Sequence, residues 1–506
     1  MSSINNVPNN SRVFIYGTGS AGRSLWMWLK KCRTDVVVLG FIDSFKKGRV
    51  GDKVVYSFAD WQQRFKANEY DLVLVASGAG KQIAAGLETI GIPFILISVP
   101  SYLMENLLPL PFKEKWLALK IKFLAFFVQR KLHLFLGEHG GKFIGNNKYY
   151  YLYLKQNTTL PVYWVVEDEA LFLELVAQGV DVLNFKSPRF LFILLSGAFF
   201  YFDNMTWQRK YPWLRFFKAR IIHMSHGVGL KLTEKMLIPQ EFMLRLTRTE
   251  QVQLESRIFK NDLLVSTSSF YAENVSVPAY GTVIEDVTLC GYPKNDLFYQ
   301  DIKGAEIFSD AQTLARIRSL QSQNYKIIVY APTFRDMDSG FQYADVIDYA
   351  AFNRFLAEQR LLLVIKGHTS LSAGIGVGES YDHILFYQNE RDGYPLLKEA
   401  DLLITDYSSI YMDFLHCNKP ILFFVYDYEE YIEKHREIQF DYMTMTPGPK
   451  AQSYEALIHW VHHFLVLGAD GFLVDRERVS ALAFTYFDGL SSHRLFREMQ
   501  KRRMIA

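Results

Sequence analysis

A cluster of hydroxyl and carboxyl side chains stands between a short apolar run and a helical pattern: Thr405, Asp406, Ser408 and Ser409. If the apolar residues 402–404 form a buried strand, these side chains lie at its carboxyl end, where the next helix begins. Free backbone N–H groups at a helix start, together with hydroxyl groups, suit a phosphate, and ligands of open α/β sheets bind at this edge. Asp and Ser are also preferred helix caps, so phosphate binding and capping are both open.

A histidine follows another predicted strand, in the sequence HGVGLK that begins at His226. An imidazole titrates near neutral pH and can accept a proton from an alcohol. Gly227 would let a ligand approach the backbone, and Lys231 could meet a phosphate. A structural turn is the alternative interpretation of this motif.

Cations follow two further predicted strands. Lys294 lies in the sequence GYPKND, which is also typical of a turn and helix cap. Arg335 lies in APTFRD, and its guanidinium suits a pyrophosphate because it donates two parallel hydrogen bonds. An ion pair of Arg335 with Asp336 or Asp338 is the alternative.

The strand 361–365 ends in Lys366 and, two residues later, His368. We favour His368, because it lies at the edge of the loop.

The elements that position these residues alternate between strand and helix. At the N-terminus, a strand RVFIY leads into Gly17, Gly19 and Gly22, then a helix, and Asp43 follows a second strand. This context predicts a small Rossmann-like unit in which the glycines approach a pyrophosphate and the acid accepts from a ribose hydroxyl. A nucleotide such as NAD or a nucleotide sugar would be its ligand; alternatively, the domain is degenerate and keeps the glycines for packing.

The same alternation restarts near residue 160 and again after residue 305. We therefore predict an α/β chain with two doubly wound lobes facing a cleft, preceded by a smaller Rossmann-like domain. The predicted boundaries are a nucleotide-binding domain at 1–105, a basic helical linker at 106–150, a first lobe at 151–303 and a second lobe at 304–506 with a returning C-terminal helix.

The composition of the chain limits its possible partners and cellular compartment. The chain has 506 residues and a net charge of +3, which gives no argument for nucleic acid, and its three cysteines suggest a reducing cytoplasm. We expect no signal peptide, and the apolar run 190–202 is shorter than the ~20 residues of a membrane span. The stretch 112–136 interleaves lysines with aromatic residues, and we expect a helix that either lies in a membrane interface or is buried between domains.

Taken together, HGVGLK, GYPKND, YAPTFRD, the Lys-Gly-His strand end and LLITDYSSIYMDFLHCNKPILFFVYDYEEY resemble the CDP-glycerol glycerophosphotransferases. The resemblance covers residues 160–490 and implies a GT-B fold with CDP-glycerol or CDP-ribitol as donor. It implies transfer of a polyol phosphate to a hydroxyl of a glycan or lipid-linked acceptor in teichoic acid, capsule or lipopolysaccharide synthesis. It also implies a cytoplasmic enzyme held peripherally on the anionic inner face of the membrane.

The N-terminal segment resembles the nucleotide-binding domain of polysaccharide-biosynthesis nucleotide-sugar dehydratases in RVFIYGTGSAGRSL, VVVLGFIDS and GRVGDKVVYS. The chain has no region that corresponds to the catalytic part of those enzymes. The resemblance therefore implies binding, regulation or scaffolding here and not dehydration.

Carried over by position, His226 matches the family's catalytic histidine and His368 a second histidine of the site. The donor-binding positions are Arg335, Lys366, Thr405, Asp406, Ser408, Ser409 and, at the ribose, Asp413. The sequence departs from the family at Val228–Gly229, at Lys294 and at Arg436–Glu437, and the change beside His226 leaves the polyol and the acceptor open.

We expect the acceptor hydroxyl to attack the phosphorus next to the polyol while His226 takes its proton and cytidine monophosphate leaves. No cofactor or metal is expected, since the sequence has no Asp-x-Asp motif that demands one. Two alternatives remain: a GT-B glycosyltransferase that uses a nucleotide sugar, and a nucleotide-sensing scaffold of a capsule assembly complex. A homo-oligomer is also open.

Overall fold

A computed structural model describes residues 4–99, 102–108, 112–257, 261–333, 346–367, 381–429, 431 and 438–505. The chain divides into two compact units. The first contains residues 1–119, 232–260 and 278–281, and the second contains 120–231, 261–277 and 282–506. The predicted α/β class is confirmed, but residues 232–260, which the sequence pattern assigned to the first lobe of the GT-B pair, group with the N-terminal unit.

The first unit holds a sheet with the strand order β3-β4-β2-β1-β5-β6, parallel except for the β3-β4 pair. Its strands are β1 Arg12–Tyr16, β2 Val37–Asp43, β3 Gly48–Val50, β4 Lys53–Ser57, β5 Leu72–Val75 and β6 Phe94–Leu96. Its α-helices are Ser20–Cys32, Phe58–Arg64, Gly80–Thr89, Gln240–Leu244, Arg248–Arg257 and Val277–Tyr280, the last at the edge of the unit, and Tyr102–Leu107 is a 3-10 helix. Buried aromatic rings of Phe14, Trp61 and Tyr70 fill one face of the sheet.

The first lobe of the second unit is a parallel sheet with the order β13-β12-β11-β10-β7-β8-β9. Its strands are β7 Leu132–Leu136, β8 Val162–Val166, β9 Val182–Asn184, β10 Gly197–Phe202, β11 Arg220–His223, β12 Leu263–Ser266 and β13 Val287–Leu289. The helices around it include Gly145–Asn157, Glu169–Ala177, Phe190–Leu195, Thr206–Lys210 and the 3-10 helix Pro293–Phe298.

The second lobe is a parallel sheet with the order β16-β15-β14-β17-β18-β19. Its strands are β14 Lys326–Ala331, β15 Leu361–Ile365, β16 Ile384–Phe386, β17 Leu402–Thr405, β18 Ile421–Phe424 and β19 Lys450–Ala451. Its helices include Ala311–Gln321, Tyr349–Glu358, Tyr394–Glu399, Ile410–Phe414, Tyr442–Met445 and Tyr454–Val461. Helices Leu473–Ala483 and Ser491–Lys501 return to the first lobe, where the backbone N–H groups of Ser491 and Ser492 donate to Asp296.

Buried ion pairs link the two lobes of the second unit. Lys148 of the first lobe lies 2.6 Å from Asp392 of the second, and both side chains are almost fully buried. Within the first lobe, the rings of Phe135 and Tyr201 stack with their centroids 4.2 Å apart. The aromatic residues between 100 and 220 therefore belong largely to a packed core.

The stretch 112–136 is not the single helix that its sequence predicts. The helix is Phe112–Leu124, and Leu132–Leu136 is strand β7, paired on both sides with β10 and β8. A continuous apolar run gives no periodicity that would separate a buried strand from a buried helix. Among the helices that the structure describes, none has the length and apolar character required to traverse a bilayer.

Candidate active site

His226 lies beyond the carboxyl end of β11 and is directed by an unusual turn. Ser225, the residue before it, has a left-handed backbone with φ of 61°. The hydroxyl of Tyr292 donates to Ser225 Oγ at 2.9 Å, and the amide of Asn146 donates to the Ser225 carbonyl at 2.8 Å. A strained conformation of this kind persists only where its surroundings fix it, and such residues cluster at functional sites.

The imidazole of His226 is paired with a carboxylate that sequence reasoning missed. His226 Nδ1 contacts Glu138 Oε1, and the histidine side chain is 65% exposed while the glutamate side chain is 4% exposed. Glu138 follows β7 directly, so both residues stand at the same edge of the sheet. This pairing leaves the other ring nitrogen, Nε2, on the side away from the carboxylate.

The negative charge of Glu138 and the positive charge of protonated His226 stabilise each other. The charge of Glu138, with its hydrogen bond to the ring, raises the pKa of His226. Burial alone would raise the pKa of Glu138, but the charge and hydrogen bond of His226 hold that pKa below its ordinary value. The site therefore presents an oriented imidazole that is a stronger base than a free histidine.

A second buried carboxyl, Asp203, lies beside Glu138 at the end of β10. The backbone N–H of Asn147 donates to it at 3.0 Å. Burial raises the pKa of Asp203 far above its ordinary value, and the charge of Glu138 adds to this effect. The opposite directions of the two pKa shifts favour the negative charge on Glu138 over Asp203.

Lys294 connects the histidine loop to the second lobe. Its ammonium group donates to the His226 carbonyl at 2.8 Å and to Asp413 Oδ2 at 3.0 Å, and Tyr394 donates to the same oxygen at 2.7 Å. A Cβ on Gly227 would lie 3.3 Å from this ammonium group, so the glycine permits the close approach. Asp413, expected to face a ribose, is instead buried against Lys294.

The hydroxyl cluster of the second lobe faces the histidine loop. A Cβ built on Gly229 would lie 3.8 Å from Cβ of Ser409. Ser408 and Ser409 are half-buried at the start of helix Ile410–Phe414. The loop that carries His226 therefore lies next to the start of this helix.

Two buried residues of the cluster support the loop that carries the serines. Thr405 is fully buried, and its hydroxyl donates to the Ala331 carbonyl at 2.8 Å. Asp406 is also buried and accepts from the backbone N–H groups of Thr333 at 2.8 Å and Ser408 at 3.2 Å. These contacts give Thr405 and Asp406 a structural role in the loop.

The remaining predicted lysines are also engaged within the protein. Lys366 donates to the carbonyls of Asn389 at 3.3 Å and Arg391 at 3.1 Å, and burial lowers its pKa to about 8. Lys231 places its ammonium group 5.3 Å from the centroid of the Tyr431 ring. Arg335, His368 and the pair Arg436–Glu437 lie outside the described residues.

The glycine motif of the first unit has the predicted turn. Gly17 has φ of +116°, and a Cβ on Gly22 would lie 1.9 Å from the Gly17 carbonyl oxygen, so neither position accepts a side chain. Around Gly19 a Cβ would meet no described atom within 4 Å. Asp43, expected to meet a ribose, accepts instead from the backbone N–H groups of Thr18 at 3.2 Å and Phe45 at 3.0 Å.

An internal carboxylate occupies the start of the helix that follows these glycines. Glu105 accepts from the hydroxyl of Ser20 and from Arg23 Nε, the latter at 2.6 Å, and its own N–H donates to Ser24 Oγ at 3.1 Å. A helix N-terminus favours an anion, and here the chain supplies one. The geometry therefore gives no support to the predicted NAD or nucleotide sugar.

Comparison with known proteins matches the chain to one family. The model of CDP-glycerol:poly(glycerophosphate) glycerophosphotransferases matches residues 117–501. The teichoic acid poly(glycerol phosphate) polymerase of Bacillus subtilis strain 168 is 25% identical over 349 residues, which cover 65% of this chain and 43% of that protein. The teichoic acid poly(ribitol-phosphate) polymerase of Bacillus spizizenii is 30% identical over 206 residues, covering 40% and 32% respectively.

Among solved structures, the wall teichoic acid polymerase TagF, in a variant soaked with CDPG, superposes with a TM-score of 0.58 at 19% identity. The superposition covers 77% of this chain and 97% of that chain. It shows that the second unit has the predicted GT-B-like arrangement. The chain belongs to the CDP-glycerol:poly(glycerophosphate) glycerophosphotransferase family.

Proposed function

We propose that this protein transfers glycerol phosphate or ribitol phosphate from a CDP-linked donor to a hydroxyl of a cell-envelope glycan or lipid-linked acceptor. One observation carries the proposal: the oriented pair of Glu138 and His226 stands on a loop whose Gly229 approaches Ser409 at the serine cluster of the second lobe. Family membership supports the donor class, and the named activities of the relatives support either polyol.

In the proposed reaction, the acceptor oxygen attacks the phosphorus that carries the polyol. His226 Nε2 takes the acceptor proton, while Glu138 orients the ring and stabilises the imidazolium that forms. A new bond joins the acceptor oxygen to phosphorus, and the bond from that phosphorus to the bridging oxygen breaks. Cytidine monophosphate leaves with the electron pair, and protein dipoles and cations stabilise the charge.

The leaving phosphate would be held by the hydroxyls of Ser408 and Ser409 and by the N–H groups at the start of helix Ile410–Phe414. By family position, Arg335 and His368 would join them. Asp406 supports this set indirectly, because it fixes the loop that carries the serines. We assign Lys294 and Asp413 to the connection between the lobes and not to donor contact.

A donor panel tests the proposal. The protein is incubated with CDP-glycerol, CDP-ribitol and a set of nucleotide sugars, in the presence of a short poly(glycerol phosphate) acceptor, and nucleotide release is followed by chromatography. We expect cytidine monophosphate from a CDP-polyol and none from nucleotide sugars. Release from a nucleotide sugar alone would indicate a glycosyltransferase, and no release from any donor would favour the scaffold alternative.

The histidine has its own test. His226→Ala should lose most of the turnover while CDP still binds, as measured by calorimetry. His493→Ala is the matched control, because His493 is an exposed histidine that contacts Tyr153 on the returning helix. Turnover of the His226 variant near that of the control would remove the histidine from the role of base.

We further propose that the enzyme works at the inner face of the cytoplasmic membrane, docked through the helix Phe112–Leu124 and the residues after it. Large apolar side chains of this segment are exposed: Trp116 by 61%, Phe123 by 62%, Phe126 by 77% and Phe127 by 73%. Lysines lie between them, and aromatic residues with cations suit an anionic lipid interface.

Flotation with vesicles of phosphatidylcholine, with and without phosphatidylglycerol, tests this docking at low salt. We expect binding only to the anionic vesicles, and weaker binding when Phe123 and Phe127 are both replaced by Ser. The control replaces two exposed apolar residues of the second lobe, Leu467 and Val474, in the same way. Failure of the unmodified protein to bind anionic vesicles would refute the docking.

A further inference from the structure

An open cavity of about 430 Å³ lies in the first lobe, at the edge of the sheet opposite the candidate active site. It is lined by residues that begin strands β10 and β11 and precede β7. The lining residues are Val128, Gln129, Arg130, Ala198, Phe199, Lys218, Arg220 and Met504. Since His226 stands at the other edge, the cavity and the candidate active site are about 15 Å apart, the length of a five-residue strand.

The cavity is strongly cationic. Arg130, Lys218 and Arg220 all line it, and no carboxylate does among the residues described. Arg130 Nη1 donates to the Lys218 carbonyl at 2.5 Å, which fixes the two loops to each other. Within the described part of the chain, Lys218 and Arg220 form no ion pair with an acidic side chain, so their charges are available to an external anion.

Exposed aromatic rings border the same cavity. The ammonium group of Lys218 lies 4.4 Å from the centroid of the Phe126 ring. Phe126 and Phe127 directly precede Val128 in the chain and are among the most exposed aromatic residues. A cationic recess beside protruding rings matches a ligand with a negatively charged head and an apolar body.

We propose that this cavity binds the phosphate of an anionic phospholipid, with Arg130, Lys218 and Arg220 around the headgroup and Phe126 and Phe127 among the acyl chains. The site rests on the membrane docking proposed above and adds a specific headgroup position to it. A guanidinium donates paired hydrogen bonds to phosphate oxygens, and an exposed ring beside the headgroup lies at the depth where aromatic residues reside in bilayers.

The experiment compares vesicle flotation of the unmodified protein with that of Lys218→Ala/Arg220→Ala. We expect the double variant to need roughly tenfold or more phosphatidylglycerol vesicles for half-maximal binding, because each cation near an anionic surface contributes to the affinity. The matched control, Arg316→Ala/Arg354→Ala, removes the same charge from exposed helix positions of the second lobe and should bind as the unmodified protein does. Unchanged CDP affinity in both variants would show that they are folded.

The outcomes separate the two proposals. If the unmodified protein binds the vesicles and Lys218→Ala/Arg220→Ala binds them equally well, the headgroup site is refuted while the docking stands. If the unmodified protein does not bind, both fail. Calorimetry with inorganic phosphate forms a further arm: tight binding without vesicles, lost in the double variant, would identify a site for free phosphate and overturn the lipid assignment.

Discussion

Lys294 Nζ of the first lobe and Asp413 Oδ2 of the second lie 3.0 Å apart, and the two side chains are only 3% and 4% exposed. The same ammonium group holds the carbonyl of His226. The position of the histidine is therefore linked to the helix that begins at the serine cluster. Because any separation of the two lobes at this point must break the contact, the pair helps to hold the lobes together here.

Replacing Lys294 by Met should strongly destabilise the protein, by about 3–5 kcal/mol, because Asp413 would remain as an unpaired buried charge. Urea unfolding of the double variant Lys294→Met/Asp413→Leu should recover much of that loss. The control is Lys398→Met, since Lys398 pairs with the fully exposed Asp301 and such pairs contribute about 1 kcal/mol or less. Equal effects of the two single changes would argue against a structural role for the buried pair.

Replacing Glu138 by Gln should lower kcat roughly 10²-fold and shift the pH profile. A general base must be unprotonated, so kcat/KM falls as the pH drops below the pKa of His226. Glu138 raises that pKa, and its neutral replacement should therefore move the acidic limb of the profile to lower pH. Glu255→Gln, at an exposed carboxylate paired with Lys235, should change neither kcat nor the profile. A profile that does not move in Glu138→Gln would contradict the pairing.

Two hydroxyl residues of the cluster, Ser409 before the helix and Thr405 at the end of β17, should respond differently. Ser409→Ala should weaken CDP binding by about tenfold, the value of a hydrogen bond to a charged group. Thr405→Val should leave the CDP affinity unchanged and reduce stability by roughly 1 kcal/mol, because its hydroxyl bonds the Ala331 carbonyl. Calorimetry with CDP and urea unfolding of both variants separate the roles, and a loss of affinity in Thr405→Val would reverse the assignment.

Turnover of a CDP-polyol should survive chelation. The proposed reaction uses a histidine base with hydroxyl, amide and cationic groups around the phosphates, and none of these steps requires a divalent cation. Activity assayed with EDTA, and again after addition of Mg²⁺ or Mn²⁺, should therefore stay constant. A rate that disappears with EDTA and returns with one cation would overturn this prediction.

Nucleotides should not stabilise the unmodified first unit, because Glu105 already occupies the start of its helix. Melting curves with NAD, UDP-N-acetylglucosamine or no addition should coincide. Glu105→Ala would expose Ser20 and Arg23 and should lower the melting temperature. A rise in melting temperature of the unmodified protein with either nucleotide would restore the ligand that the glycine motif indicates.

Sequence patterns predict best the positions of residues that follow the strands of a parallel sheet. Strand ends on one edge of a sheet must lie together, and His226 and the serine cluster do follow strands β11 and β17 as the motif spacing predicts. Glu138 could not be predicted in this way, because the strand before it has the sequence pattern of a helix. Without that strand, nothing places its carboxylate at the edge of a sheet. The internal partners of Asp413 and Thr405 could not be predicted, because spacing does not say whether a polar group faces solvent or another residue.

The carboxylate of Glu105 has a consequence for how the N-terminal domain depends on its surroundings. A related domain that binds a dinucleotide at this position is stabilised only when the dinucleotide concentration exceeds its dissociation constant. Here the anion at the helix start is the carboxylate of Glu105, which is part of the polypeptide itself. The folding stability of this domain should thus not depend on the concentration of nucleotides in the cell.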